Sequence, residues 1–158
     1  MFREMLRARQ QLTREECLEI LKRGKRGVLS VLGDDGYPYG IPLDHYYREE
    51  DGRLYFHCGR AGHKLDALRR CPKASFCVLE ESGPEPGDWA LRFRSVVVFG
   101  RVKFIEDPET VCKIAADLSR KFTDDEAYIA EEIRRFGPVT CMFALVPEHM
   151  TGKRVRES

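Results

Sequence analysis

The chain has 158 residues, of which 42% are hydrophobic and 34% charged, and its formal net charge is +1. A single domain of this length can bury a substantial core. The balanced charge argues against a dedicated nucleic-acid binder, and no apolar run approaches the roughly 20 residues that a membrane-spanning helix needs.

The cysteines and the amino terminus indicate a cytoplasmic protein with no membrane segment. The six cysteines form no C-x-x-C pair and mostly have apolar neighbours, which favours reduced, largely buried thiols. The first ten residues carry charges throughout and lack the apolar centre of a signal peptide.

The first half of the chain is predicted to form a helix followed by strands. Residues 1–12 are interpreted as an N-terminal arm, and residues 13–16 form a capping-box pattern for a helix that ends near Gly24. Pro38 and Pro42 donate no backbone amide, so their strand should be bent, bulged or at a sheet edge. The predicted strands, which would form a three-stranded meander, span residues 27–32, 37–47 and 53–58.

The rest of the chain, from residue 64 onward, is predicted to contain further strands and three short helices. Gly100 interrupts an apolar strand, which predicts a bulge or a close approach of another segment. Asp107, followed by proline, is a typical helix start. A second capping box at 123–126 predicts a helix with Ile129, Ile133 and Phe136 on its buried face. The predicted elements are a helix at 64–70, a strand at 75–79, an exposed loop at 83–87, a strand at 88–105, helices beginning at 107 and 123, a strand at 139–146 and a tail at 148–158.

This order of elements indicates a mainly β protein with one domain over residues 1–158. About six strands at short spacing, with a few inserted helices, are typical of an antiparallel barrel with helical decoration. No regular alternation of strand and helix runs along the chain, which excludes the doubly wound dinucleotide-binding fold.

The segment from Gly59 to Lys64 has the composition of an anion-binding site. Its glycines let the backbone approach a ligand closely, and the helix start that follows favours negative charge. Arg60, His63 and Lys64 add donors that a phosphate group accepts. The spacing is not that of a Walker P-loop, and from these residues alone a phosphate site and an ordinary basic loop are both open.

Other groups of residues give weaker evidence for a functional site. His57 and Cys58 should point to opposite faces of their strand, so they are not expected to share a metal ion with His63. No Gly-x-Ser-x-Gly motif marks a nucleophile. Pro42 and Leu43, taken alone, are typical of barrel core or of edge protection.

Taken in order, five segments resemble a known family. They are residues 28–32, 35–42, 54–58, 62–65 and 95–100. The series is similar to the pyridoxamine 5′-phosphate oxidase-like FMN-binding split barrels, which have an antiparallel six-stranded split β-barrel. Within them it most resembles the group related to the 5-nitroimidazole resistance (Nim-type) nitroreductases.

The resemblance implies a homodimer with FMN, or FAD in its place, in a groove between two barrels. It assigns no catalytic side chain, because the flavin itself carries the chemistry. Residues 94–96 would approach the flavin from the partner subunit, and residues 151–153 would close near the site. The implied cofactor-binding residues are Leu29, Ser30 and Val31 at the ring and ribityl chain, Pro42 and Leu43 along the ring, His57, Arg60, Gly62, His63 and Lys64 at the phosphate, and Ser95.

The implied activity is electron transfer from NAD(P)H through FMN to a small acceptor such as a nitroaromatic compound. The arginine-rich C-terminal signature of the vitamin B6 oxidases is not identified in this sequence, so vitamin B6 oxidation is not expected. One alternative is a non-enzymatic flavin- or haem-binding protein of the same fold, and another is a scaffold dimer with an empty groove. A haem would need an axial ligand from among His45, His57, His63 and His149.

Overall fold

The computed structural model describes residues 1–83, 86–87 and 89–157 and contains one curled antiparallel sheet. Part of the predicted loop at 83–87, namely residues 84 and 85, lies outside the described residues. The strands are β1 (Arg26–Leu32), β2 (Pro38–Asp44), β3 (Tyr46–Arg48), β4 (Arg53–Gly59), β5 (Lys73–Ser82), β6 (Leu91–Ile105) and β7 (Thr140–Glu157). The helices are α1 (Arg14–Arg23), α2 (His63–Arg70), α3 (Pro108–Ser119) and α4 (Glu126–Phe136).

The strand order β2-β1-β5-β6-β7-β4-β3 closes the sheet on itself. Strands β2 and β3 lie at opposite edges of the sheet, yet only His45 separates them in the chain. The sheet must therefore curl until its two edges meet at His45, which confirms the predicted split barrel. The strand count is seven instead of six because the predicted strand 37–47 divides at this residue.

The predicted three-stranded meander is confirmed in part: β1 pairs with β2 and β3 pairs with β4, but β2 and β3 lie at opposite edges of the sheet, and β4 pairs on its other side with β7. Strand β2 pairs only with β1 and is an edge strand, as its prolines predict. Pro38 and Pro42 are four residues apart, so their missing amides fall on the same side of the strand. A second strand on that side could not form a complete set of backbone hydrogen bonds with β2.

The barrel interior is a continuous apolar core. Alternation along each strand places one set of side chains inside and the next outside. The largest fully buried side chains of the barrel strands include Leu29, Leu54, Phe56, Phe76, Phe143 and Leu145. A second, smaller cluster packs α3 against the outer side of β4 and β7 through Tyr55, Val111, Ile114, Met142 and Ala144.

The last strand continues past the proline that was predicted to end it. Pro147 pairs with Gly100 and His149 with Phe99, so Glu148 is an extra residue that forms a bulge. The predicted tail at 148–158 is therefore wrong over 148–157, which pairs with β6 as part of β7. The bulge explains the glycine, because a Cβ at residue 100 would lie 2.2 Å from the Val146 carbonyl oxygen.

The helix signals are confirmed at α1 and α3 and partly wrong at α4. Thr13 and Glu16 form the predicted capping box, and Asp107 caps α3. Helix α4 is capped by Asp125 and not by a box from residue 123. Phe136 is 46% exposed, so it does not lie on a buried face.

The first twelve residues partly join the barrel. Gln11 forms a β-bridge with Lys153, and the Leu12 side chain packs in the core. Phe2 stacks on His149 with ring centroids 4.7 Å apart. None of the helices in the described part of the chain is both long and apolar enough to span a membrane.

Candidate functional site

The segment predicted to bind phosphate connects β4 to the start of α2. Gly62 is the N-cap residue of α2 and has φ +137°, a conformation that side-chain-bearing residues rarely adopt. No side chain caps this helix, and a Cβ on Gly62 would have no neighbour within 4 Å. The Leu65 N–H donates to the Gly62 carbonyl at 3.0 Å, which leaves the amides of His63 and Lys64 without a side-chain cap among the described residues, as an anion site requires.

His63 is held in a fixed orientation at the start of α2. Its ring stacks on Tyr39 of β2, with centroids 4.2 Å apart. The backbone N–H of Asp34 donates to His63 Nε2 at 3.3 Å, so in the neutral ring the proton lies on Nδ1. Nδ1–H is then left to donate to a ligand. Arg70 completes the arrangement by donating to the Asp34 carboxylate at 2.7 Å.

Two cations next to this helix start have no partner within the described part of the chain. Among the described residues, neither the Lys64 ammonium nor the Arg60 guanidinium forms a hydrogen bond or an ion pair. Both Lys64 and Arg69 lower the pKa of the Cys58 thiol, but burial outweighs them and raises it to about 11. Lys64, Arg69 and Cys58 are therefore close together. Unpaired positive charge beside uncapped amides fits a phosphate group.

The predicted ring-binding residues fall on both faces of the sheet. Pro42 is exposed on the outer face of the edge strand β2, while Leu43 packs against the core. Ser30 is half-buried on the outer face of β1. Leu29 and Val31 are 0% and 4% exposed, so their side chains lie in the core and only their backbone faces outward. Their role toward the ring stays a prediction.

The spacing along β2 suits an extended ligand. Tyr39, which carries the His63 ring, and Pro42 are about 10 Å apart along β2 and lie on opposite faces of it, so a ligand that reaches both must pass around the strand edge. The outer edge of β2 has no strand partner in the described sheet. A molecule with its anion at α2 and an apolar ring at Pro42 would lie along this edge.

His57 does not point toward the phosphate segment's other donors. The side chains of His57 and Cys58 point to opposite faces of β4. Cys58 is paired with Cys141 of β7 in the ladder. His57 lines a small cavity of about 120 Å³ with residues of α3 and α4. Partial burial lowers the pKa of His57 in spite of the nearby Asp44 carboxylate, although the residue is exposed at the protein surface. Its role toward phosphate stays a prediction.

Ser95 lies on the outer face of the sheet, away from α2. It pairs with Leu79 and Lys153 in the ladder. No described contact brings Ser95 to Lys64 or His63, so within one chain the structure does not assemble all the predicted site residues. Its role stays a prediction that requires a second subunit.

Two sets of residues have roles that sequence reasoning did not find. Asp34 and Tyr39 orient His63, although the sequence marks Asp34 only as a turn residue. His45 is fully buried, and its Nε2–H donates to the Leu21 carbonyl at 2.8 Å. Lys121 donates to the carbonyl of His45 at 2.7 Å. His45 is thus not available as an axial haem ligand.

No metal centre is evident at this site. In the ranges 1–83, 86–87 and 89–157, no group of three or more His, Cys, Asp or Glu side chains is placed to hold a metal ion. All six cysteines are free thiols.

Comparison with known proteins identifies relatives of the fold. A model of the pyridoxamine 5′-phosphate oxidase family matches residues 13–154. No curated protein matches the chain in sequence.

Three solved structures with the same fold share about a fifth to a quarter of their residues with this chain. A candidate 5-nitroimidazole antibiotic resistance protein from Bacteroides thetaiotaomicron is 21% identical over 93% of this chain and 87% of its own, with a TM-score of 0.76. A FAD-binding protein from Mesorhizobium loti is 24% identical over 92% and 97%, with a TM-score of 0.66. A FAD- and haem-binding protein from Mycobacterium smegmatis is 21% identical over 91% and 72%, with a TM-score of 0.73.

Proposed function

The chain belongs to the pyridoxamine 5′-phosphate oxidase family, and on that basis we propose that it is a flavin-dependent oxidoreductase. The flavin would carry electrons from NAD(P)H to a small acceptor such as a nitroaromatic compound. We place this activity in the cytoplasm, in keeping with six free cysteines.

The observation that carries this proposal is the arrangement at the start of α2. Lys64 and Arg60 are unpaired among the described residues, the helix has no side-chain cap, and His63 is fixed with Nδ1–H free. Two unpaired cations and uncapped backbone amides in one place favour the binding of an anion. A flavin phosphate supplies that anion.

The rest of the flavin would follow the outer edge of β2. Pro42 offers an apolar surface for the ring, and the unpaired backbone of the edge strand offers hydrogen bonds to its polar rim. When bound, the flavin accepts a hydride from a nicotinamide and passes electrons to the acceptor. The side chains of this chain would bind and orient the flavin and limit access of water, and none has to transfer a proton.

The proposed partner is a second copy of the chain. The outer face of the sheet carries a row of small and apolar residues across five strands, set side by side by the ladder: Pro42, Val28, Cys77, Val97 and Thr151. An apolar row of this kind on a sheet face is typical of a subunit interface. A dimer through this face would also bring Ser95 of the partner subunit toward the flavin.

A charge placed in this row should prevent dimer formation. Val28 is the second residue of the row and is 43% exposed, and Val28→Glu would place a carboxylate against apolar surface of the partner. We expect the wild-type chain to sediment as a dimer and the variant as a monomer. Tyr128→Glu, at a 56% exposed position on α4, is the control and should remain a dimer. A wild-type monomer, or a dimeric Val28→Glu variant, would contradict the proposed interface.

Anaerobic reduction tests the proposed activity. The protein saturated with flavin is mixed with NADH or NADPH without oxygen, and the visible flavin absorption is followed. We expect one of the two nucleotides to bleach the bound flavin faster than it bleaches free flavin, and a nitroaromatic compound to restore the absorption. A bound flavin that neither nucleotide reduces would favour the non-enzymatic flavin-binding alternative.

A further inference from the structure

A large groove begins at the loop that holds Arg60 and continues away from β2. It has a volume of about 960 Å³ and lies between the ends of β6 and β7 and the helices α2, α3 and α4. This volume is at the upper end of the range for small-molecule sites. Flavin along β2 would leave the groove empty, so the proposed function does not account for it.

The groove meets the proposed phosphate site at Arg60 and also borders the small cavity at His57. Arg60 belongs to the loop between β4 and α2 and also lines the groove. The small cavity at His57 shares Val111, Cys112 and Ile133 with the groove. A ligand held at the start of α2 can therefore extend into the groove without crossing the barrel.

The groove combines an apolar floor with positive charge at its entrance. Phe104, Ile105 and Met142 form apolar surface, and Arg69 stacks on Phe104 with its guanidinium carbon 5.6 Å from the ring centroid. The only ion pair of Arg69 among the described residues is a long one, 3.7 Å to Asp66. Arg60 and Arg69 are thus free to bind a second phosphate next to the first.

The groove also contains a carboxylate, which is suited to bind the sugar of a nucleoside. Glu106 lines the groove and has no hydrogen bond or ion pair among the described side chains. Its oxygens can accept hydrogen bonds from ribose hydroxyl groups. Arg134 also lines the groove. Both of its hydrogen bonds, at 2.6–2.8 Å, go to Glu131, so it is less free to bind a ligand in the groove.

We propose that this groove binds the adenosine-phosphate half of FAD, so that the chain takes FAD in preference to FMN. The inference rests on the proposed flavin site at α2. The isoalloxazine half would lie along β2, the diphosphate between Lys64, Arg60 and Arg69, and the adenine on Phe104 and Ile105. An FMN molecule would make only the first of these contacts.

Binding and thiol protection test the inference together. FMN and FAD are titrated separately by flavin fluorescence, and each complex is then treated with N-ethylmaleimide and mapped by mass spectrometry. Cys112 is an exposed thiol that lines the groove, whereas Cys77 lies on the outer face of the sheet. We expect FAD to bind at least about tenfold more tightly than FMN and to protect Cys112, and FMN to leave Cys112 reactive. Cys77 should react alike in both complexes.

A matched pair of variants locates the effect. Arg69→Gln removes the charge in the groove and should weaken FAD about tenfold while leaving FMN unchanged. Arg70→Gln removes the neighbouring charge, which pairs with Asp34 on the other side of α2, and should leave the ratio of the two affinities unchanged.

The outcomes separate this inference from the proposed function. Equal affinities for FMN and FAD, with Cys112 equally reactive in both complexes, would overturn the groove assignment and leave the flavin site intact. Concentration-dependent protection of Cys112 without any flavin would show that a second subunit covers the groove, which also overturns it. Failure of both flavins to bind would overturn the inference and the proposed function together.

Discussion

Lys64→Ala should weaken flavin binding by about 10- to 100-fold. The lysine is unpaired among the described residues and lies at the uncapped start of α2. A hydrogen bond to a charged group contributes about 1.5–3 kcal/mol, and 1.4 kcal/mol corresponds to a tenfold change in affinity. Flavin fluorescence titrations of the wild type and the variant measure the change.

The loss of flavin affinity should depend on the position of the lysine that is removed and not on the total charge of the protein. Lys113→Ala removes an exposed lysine of α3 and serves as the control, which should bind flavin as the wild type does. The far-ultraviolet circular dichroism of both variants should match the wild type, because neither lysine is in the core. Equal affinity of Lys64→Ala and the wild type would remove the main support for the α2 site.

The second large effect is loss of stability in acid through His45. Burial lowers the pKa of this histidine from 6.5 to about 4, and the nearby Lys121 charge acts in the same direction. Nε2–H donates to the Leu21 carbonyl, while Nδ1 is buried without a partner among the described residues. A proton on Nδ1 would thus introduce a buried donor that has no acceptor.

The sign of the pH dependence follows from the two pKa values. Between pH 6.5 and about 4 the unfolded chain binds a proton at His45 and the folded chain does not, so stability falls as the pH falls. Each pH unit in this window costs about 1.4 kcal/mol, which amounts to roughly 3 kcal/mol over the window. Urea unfolding at a series of pH values measures the slope.

Two variants isolate the contribution of this histidine. His45→Gln removes the titrating group and should flatten the stability profile between pH 6.5 and 4. Phe76→Leu alters the ring that His45 contacts edge-on at 5.0 Å, so it should lower stability while keeping the slope. A His45→Gln profile as steep as the wild type would show that other groups cause the acid sensitivity.

Local signals in the sequence predicted the elements well. The capping box at Thr13, the cap at Asp107 and the bulge at Gly100 depend on a few neighbouring residues, and the structure confirms each. The edge position of β2 was also predictable, because Pro38 and Pro42 remove donors on one side of the strand.

What the sequence did not show depends on distant partners. Pro147 ends a strand in isolation, but β6 supplies a long partner and Gly100 leaves room for the bulge that keeps β7 paired to residue 157. The pairing of β4 with β7 instead of β2 is likewise set by the closure of the barrel at His45.

In the candidate site, too, the local features could be predicted from the sequence and the features that depend on distant residues could not. The basic segment with Lys64 was recognisable from its glycines and charges, whereas the alternation that buries Leu29 and Val31 and leaves Ser30 outside was not applied to the implied ring contacts. The groove could not be predicted, because its lining residues come from segments that are far apart in the chain.

The central claim, that a flavin phosphate binds at the start of α2, is tested most directly by comparing FMN with riboflavin, which lacks the phosphate. Both are titrated into the wild-type protein and followed by flavin fluorescence at one ionic strength. Binding of FMN at least about 100-fold more tightly than riboflavin is the predicted result, because the phosphate meets Lys64, Arg60 and the open amides of α2 together. Equal affinity for the two compounds would contradict the claim, because the phosphate would then contribute nothing to binding.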